Sequence, residues 1–438
     1  MPRLVCLLLA LSAAPVFAED WPGWRGPRRD GTTDASAYPT EWNEKKNTKW
    51  KQPIPGTGHS SPVVVAGKVF LTTCVEAADD DKAPAKRMLL CLDRKTGEQL
   101  WARECLAAPL EPKHKLNSYA SSTPVADGER IYVTFHDRPA LRIYCYDLAG
   151  KKLWDTSPGE FHSVHGFCSS PLIFKDLLIV NGDQDPKKDG KAYIVAFDKL
   201  TGKEKWRIDR VNRLRSYCPP LLIAVDGQPQ MVLTGSKTVC AFDPATGESI
   251  WTVKGPTEQF VASPVFQIVE GKLPALLGFP CGAISVLRWT QPTVFLTAGF
   301  PDRWVMAIDP RGRGDVTKTR ILWSKKNDGG YVPSPVVDKG LGYVITDDGI
   351  YSVWDLLTGR TYCKERVKGH QTGSPVVAGE HLYITNDEGE TIVIKTGGLF
   401  DVVAKNNLKE KCYSSPAFSD GDIFLRGEKH LFCIGVGK

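Results

Sequence analysis

Apolar positions along this chain fall in short runs closed by glycine, proline or aspartate, and no stretch carries the 3.6-residue period of a long amphipathic helix. Such runs predict β-strands joined by tight turns. A small residue followed by proline and then an apolar strand recurs at Ser61-Pro62, Thr123-Pro124, Ser170-Pro171, Pro219-Pro220, Ser263-Pro264, Ser334-Pro335, Ser374-Pro375 and Ser415-Pro416. Successive second prolines stand 62, 47, 49, 44, 71, 40 and 41 residues apart. A repeat of about 40–50 residues suits one four-stranded blade with its loops. The expected fold is all-β: an eight-bladed β-propeller of four-stranded antiparallel blades.

Within a unit the order is constant: strand, Asp-Gly-like turn, strand, polar loop, strand ending in Asp, Thr-Gly turn, and a strand carrying Trp. The third unit shows it whole, from Ser169 to Trp206. Asp198 with Thr201-Gly202 matches Asp93 with Thr96-Gly97, Asp243 with Thr246-Gly247, and Asp355 with Thr358-Gly359. Asp accepts hydrogen bonds from amides two residues on and Gly supplies positive φ, so the spacing predicts a hairpin. Trp101, Trp154, Trp206, Trp251 and Trp323 follow at one repeat position and are read as packing residues between blades. The last unit, Ser414 to Gly435, has length for three strands only, while Asn47 to Ile54 with Trp50 reads as a fourth. The ring is therefore expected to close by an N-terminal strand, which removes two exposed sheet edges. The long fifth unit is expected to hold an inserted hairpin, Gln267 to Pro292, rather than a ninth blade. Glu76 to Arg87 is read as a charged, mobile surface loop.

These residues carry a family resemblance. AFDKLTGKEKW (196–206) and AFDPATGESIW (241–251) match the Ala-x-Asp-x-x-Thr-Gly-x-x-x-Trp repeat of pyrroloquinoline quinone (PQQ) type propellers, and CLDRKTGEQLW (91–101) departs only in Cys91. Unit two is a residue short in the turn, unit six has Cys363 for Trp, and units seven and eight have lost the motif. WPGWRGPRRDGTT (21–33) resembles the N-terminal signature of many secreted members. It is expected to cap the propeller, the alternative being a ligand-facing role for Trp24 and Arg25. The organisation read from the chain is residues 1–18, 19–46 (irregular) and 47–438 (propeller).

Composition agrees with this picture. Forty Gly, 31 Pro, 12 Trp and 4 Met in 438 residues describe a turn-rich chain of short strands. Residues 1–18 place Arg3 before the apolar run Leu4–Leu11 and end in Val16, Phe17 and Ala18, as a signal peptide cleaved after Ala18 would. The run falls far short of the roughly 20 residues that span a bilayer, and Cys6 lies too early to carry a lipid. A periplasmic or secreted protein without a membrane span is expected. A net charge of +6, with no basic run among aromatics, argues against nucleic acid. Of 12 cysteines, eleven follow residue 18, with no C-x-x-C, so at least one is free. Cys91, Cys145 and Cys433 share the strand position of Ala196, Ala241 and Ala307 and are read as small core residues. Cys168, Cys218 and Cys412 precede strand starts, and disulfides among them stay open.

In a propeller the loops between blades and the loops between middle strands open on one face, where function concentrates. The first set carries His59, Tyr119, His165, Arg215, Tyr217, Tyr331, His370 and Tyr413, the candidate ligand-binding residues of a polar funnel. The second carries Asp137, Asp183, Asp185, Arg303, Asp347, Asp387 and Glu428. His59, His165 and His370 lack a carboxylate spaced to fix a metal, so no metal is expected. Quinoprotein dehydrogenases of this repeat family clamp PQQ between a Trp and a disulfide of adjacent cysteines, with calcium on carboxylate and amide groups beside a catalytic Asp. Neither an adjacent cysteine pair nor a matching Glu, Asn and Asp set is identifiable, and G-x-S-x-G, P-loop and H-E-x-x-H motifs are absent. The resulting expectation is a monomeric, exported, non-catalytic scaffold without a cofactor, similar to BamB-type propellers of outer-membrane assembly, binding a protein, peptide or glycan of the cell envelope on its funnel face. The alternatives are a PQQ- and calcium-dependent oxidoreductase with a divergent site, and hydrolysis or lyase chemistry on polysaccharide.

Overall fold

A computed structural model describes residues 19–35, 37–77, 83–184, 192–210, 216–273 and 287–436. The expected signal peptide, Arg215 and Asp185 lie outside them. The chain forms eight sheets, each with four antiparallel strands in sequence order from the channel outward. Blade 3, for example, runs Leu172–Phe174, Leu177–Gly182, Tyr193–Asp198 and Glu204–Asp209. Blade 8 takes its outer strand from Thr48–Pro53, which pairs antiparallel with His430–Gly435 and closes the ring. Two blades gain a short parallel strand: Thr32–Thr33 beside the inner strand of blade 7, and Gly314–Asp315 beside the outer strand of blade 4.

The register explains the repeat motif. Ala196, Ala241 and Ala307 lie directly opposite Trp206, Trp251 and Trp323, and Cys91, Cys145 and Cys433 lie opposite Trp101, Trp154 and Trp50. A small side chain across the strand leaves room for the indole, and the three cysteines are fully buried there. Every one of these indoles but that of Trp251 then meets the turn glycine of the next blade. The Asp-Thr-Gly turns are built as Asx turns: Asp198 Oδ1 accepts the amides of Leu200 and Thr201, both at 3.0 Å, and Gly202 follows with φ +69°. A Cβ on Gly202 would lie 2.7 Å from the Trp154 ring, and the same contact joins Gly97 to Trp50, Gly150 to Trp101, Gly247 to Trp206 and Gly359 to Trp323. Trp154 Nε1 donates to Lys199 O at 3.1 Å, Trp101 to Leu148 O at 3.3 Å and Trp323 to Leu356 O at 2.8 Å. Trp251 differs because blade 5 has no such turn. Its indole is fully buried and donates to Gln230 Oε1 at 2.8 Å, while Gly314 pairs beside it. Apolar cores lie between neighbouring blades, as between blades 2 and 3, where Ile143 and Phe161 meet Leu178 and Val195.

The small-residue-proline signal has its own function at the channel. Ser61, Thr123, Ser263, Ser334 and Ser374 each donate a backbone N–H to the hydroxyl of the equivalent residue one blade on, at 2.9–3.1 Å. Small hydroxyl side chains thus link the inner strands into a belt. In blade 4 that position is Pro219, which has neither hydroxyl nor N–H. The Ser263 hydroxyl accepts Trp24 Nε1 there instead, at 3.0 Å.

The fifth blade holds its insertion inside one sheet. Val265–Leu273 and Leu287–Ala298 pair without a break from Val265↔Phe295 to Leu273↔Leu287, so the described part of the insertion lengthens the first hairpin, and residues 274–286 lie outside the described residues. The charged segment at 76–87 differs from expectation. Ala85–Asp93 is a strand, and Arg87 is fully buried against Glu111 and the carbonyl of Ala108, because pairing with Gln99–Ala108 draws it inward. Residues 78–82 lie outside the described residues.

Candidate functional site

Residues 21–33 cross the central channel. Trp21 pairs with Val64 of blade 1, Pro22 O accepts from Ala126 of blade 2, Arg29 reaches Pro171 O of blade 3, and Gly31 O accepts from Val377 of blade 7. Arg25 is buried, with Nη2 donating to Asp30 O at 2.7 Å, so it belongs to the cap and not to a ligand-facing surface. Trp24 does face the opening. It is the floor of a cavity of about 520 Å³ at the funnel end of the channel.

Six of the eight candidate residues line this cavity: His59, His165, Tyr217, Tyr331, His370 and Tyr413. Tyr119 lines a neighbouring cavity instead, under Lys113 Nζ at 5.0 Å and beside Arg87 at 5.4 Å. Of the second set, Arg303 and Asp347 reach the wall. Asp183 is buried in an ion pair with Arg210, Asp137 pairs with Arg142, and Glu428 lines the neighbouring cavity. The sequence reading missed His114 and Asn117, on the long loop from blade 1 to blade 2, and Phe300 of blade 5. The length of the first loop was the available signal; for Phe300 there was none.

The polar groups are held in defined states. His59 packs against Tyr413 at 4.7 Å between ring centroids, and burial, then the Arg426 and Lys113 cations, push its imidazole down to about 4. His165 Nδ1 meets Tyr217 Oη at 2.7 Å, and His114 lies edge-on to His165 at 5.6 Å. His370 Nδ1 lies 2.7 Å from Asp387 Oδ2; a carboxylate there favours N–H on Nδ1 and leaves Nε2 for other partners. Burial pushes Asp387 up, against the pull of His370 and Thr372. Both wall-side carboxylates also pin loops. Asp387 accepts Thr372 N at 2.8 Å, and Asp347 accepts the amides of Tyr331 and Val332 at 2.7 and 3.0 Å.

This arrangement defines what the site can hold. Trp24, Phe300 and three tyrosines offer flat faces, and imidazoles and hydroxyls offer directed hydrogen bonds. No group of three His, Cys, Asp or Glu able to hold a metal occurs among the described residues. Cys168 on the wall and its neighbour Cys218 are thiols, as are all ten described cysteines. Cys168 and Cys218 are not adjacent in the chain, so they do not form the adjacent-cysteine pair named above.

The eight-bladed ring, the Asp-Thr-Gly turns and the indole contacts define a PQQ-like β-propeller. No curated protein matches the chain. It belongs to the family described as outer membrane protein assembly factor BamB, whose model matches residues 33–160 and, overlapping, 85–365. Among solved structures, the quinohemoprotein alcohol dehydrogenase of Comamonas testosteroni is similar at TM-score 0.66 and 12% identity, over 96% of this chain and 81% of that one. A europium-containing methanol dehydrogenase follows at 0.64 and 11%, over 94% and 90%. BamB from Moraxella catarrhalis matches at 0.54 and 11%, over 88% and 99%. At these identities the likeness is one of fold.

Proposed function

We propose that the chain is a non-catalytic binding propeller of the cell envelope that takes part of a protein or glycan partner into the funnel. The observation that carries this is the chamber floored by Trp24, which the protein's own N-terminal segment sets against Ser263 and the blade loops ring with tyrosine and imidazole groups. A preformed aromatic chamber suits recognition of one inserted residue or sugar. The funnel carboxylates Asp347 and Asp387 accept hydrogen bonds from loop amides, which supports a preformed binding chamber. Family membership supports the envelope location and the protein partner.

The test is a screen of envelope proteins, peptides and glycans against the purified protein, repeated with Trp24→Ala and Tyr217→Phe. A ligand whose affinity falls at least tenfold in Trp24→Ala supports the reading; ligands insensitive to both changes refute it. A quinone absorbance band on titration with PQQ and calcium, with dye-linked alcohol oxidation, would replace it by the oxidoreductase reading. The His370–Asp387 pair favours a second reading, proton abstraction from a bound saccharide. That reading requires turnover that His370→Ala abolishes.

A further inference from the structure

Beside the funnel lies a second cavity of about 350 Å³, formed by the loop from blade 8 to blade 1, the loop from blade 1 to blade 2, and the strand end at Arg426. The two cavities share His59, Asn117 and Tyr413.

Arg426 is 2% exposed and forms no ion pair among the described residues. Its Nη1 is satisfied by Ser60 Oγ at 2.7 Å and Thr72 O at 2.6 Å. The other deeply buried propeller arginines have carboxylates, Glu111 for Arg87 and Asp183 for Arg210. A buried cation without a counter-charge is costly, and burial pushes Arg426 down to about 9. Nη2 has no hydrogen-bond partner among the described residues and abuts Gly58, on which a Cβ would stand 2.4 Å away. The bare glycine lets this cavity reach the guanidinium. Lys113 and Lys115 line the same space and pair with no described carboxylate; Glu76 and Glu428 also line it and pair with none of the three cations. On the shared wall His59 is held down to about 4 by burial first, and then by the Arg426 and Lys113 cations.

We propose that this side cavity binds an oxyanion, a carboxylate or phosphate group, with Arg426 as the fixed donor and Lys113 and Lys115 as the closing ones. A buried, geometrically fixed guanidinium beside two ammonium groups is the donor set such a group requires. The inference rests on the funnel being a binding site only in its larger form: a ligand body in the funnel would set its acidic group here. The anion site itself stands without it.

The experiment uses the full mature chain and follows the His59 imidazole by NMR and phosphate binding by calorimetry. Inorganic phosphate is expected to raise the His59 pKa measurably, because it offsets the Arg426 and Lys113 charges, the part of the downward shift that burial does not cause. Lys113→Ala with Lys115→Ala, at surface positions, should weaken phosphate about tenfold or more. Arg426→Gln should abolish binding; should it fail to fold, the double lysine variant and the His59 titration carry the test. Glucuronate against glucose, and a glutamate-containing peptide against its glutamine form, separate a sugar carboxylate from a peptide one. Absence of any His59 shift or heat at millimolar phosphate, glucuronate and acidic peptide overturns the proposal. Phosphate binding that survives in Trp24→Ala supports it, and if no ligand then responds to Trp24→Ala, the funnel reading fails alone.

Discussion

Replacing Gly202 by alanine isolates the contact on which neighbouring blades are locked. Two effects add. A non-glycine residue at φ +69° costs about 1 kcal/mol in the backbone. The new methyl would sit 2.7 Å from Trp154 Cε3 and 2.9 Å from Cδ2, well inside the 3.5–4 Å of ordinary carbon contact. The ring cannot retreat freely, because its Nε1–H is bonded to Lys199 O and it packs on Tyr132 at 5.9 Å. Overpacking of this kind costs about 1–3 kcal/mol, giving about 3 kcal/mol in all. Gly227 is the control: its φ is +77° with nothing within 4 Å of a Cβ, so Gly227→Ala should cost only about 1 kcal/mol. In a Trp154→Ala background the clash vanishes, and Gly202→Ala should likewise fall to about 1 kcal/mol, a coupling of about 2 kcal/mol. Urea denaturation followed by far-UV circular dichroism measures all four variants against wild type. Equal costs for Gly202→Ala and Gly227→Ala, or additivity with Trp154→Ala, would refute the interlock.

The channel belt gives a second contrast. Ser334→Ala strips the acceptor from the buried Ser263 amide and should cost about 1–2 kcal/mol, while Ser61→Ala, whose hydroxyl has no partner, should be near neutral; thermal melts compare them. Acid should destabilise the fold. His59 and His136 are both held down to about 4, chiefly by burial, so below the ordinary histidine range the unfolded chain takes up protons that the folded one refuses. Stability is then complete above about pH 6.5 and declines toward pH 4, by about 1–2 kcal/mol per histidine at pH 5, and His136→Gln should flatten a urea-midpoint series over that window. Burial pushes the Cys168 thiol up to about 12, so the native protein should alkylate there far more slowly at pH 8 than the urea-unfolded chain, by mass spectrometry.

Legibility differed sharply between fold and site. The Ala-x-Asp-x-x-Thr-Gly-x-x-x-Trp spacing carried the hairpin and the packing tryptophan together, because both lie within eleven positions, while the glycine each indole meets belongs to the next blade. Arg87 escaped the reading, since a charged residue next to an acidic run looks solvated until Glu111 is seen to meet it. The carboxylates Asp347 and Asp387 were legible as funnel residues, but their hold on amides of the preceding inter-blade loop was not. The parallel strand at Gly314–Asp315 left no sequence mark, because it exists only where a missing turn lets one blade's loop cover another's Trp251.

From the sequence by itself came the repeat phase, the eight blades, the closure by the strand of Trp50 and the small core residues at one strand position of the repeat. These follow from local rules of strand period, turn φ and cross-strand volume, repeated often enough to be read. Only the tertiary structure decided which side chains meet. His59, His165, Tyr217, Tyr331, His370 and Tyr413 converge because ring closure turns loops from different blades toward one axis. Trp24 became their floor because Pro219, lacking both hydroxyl and N–H, left Ser263 open to an indole. Arg426 lies buried without a counter-charge because blades 8 and 1 meet at Gly58, a contact between positions that no local pattern relates.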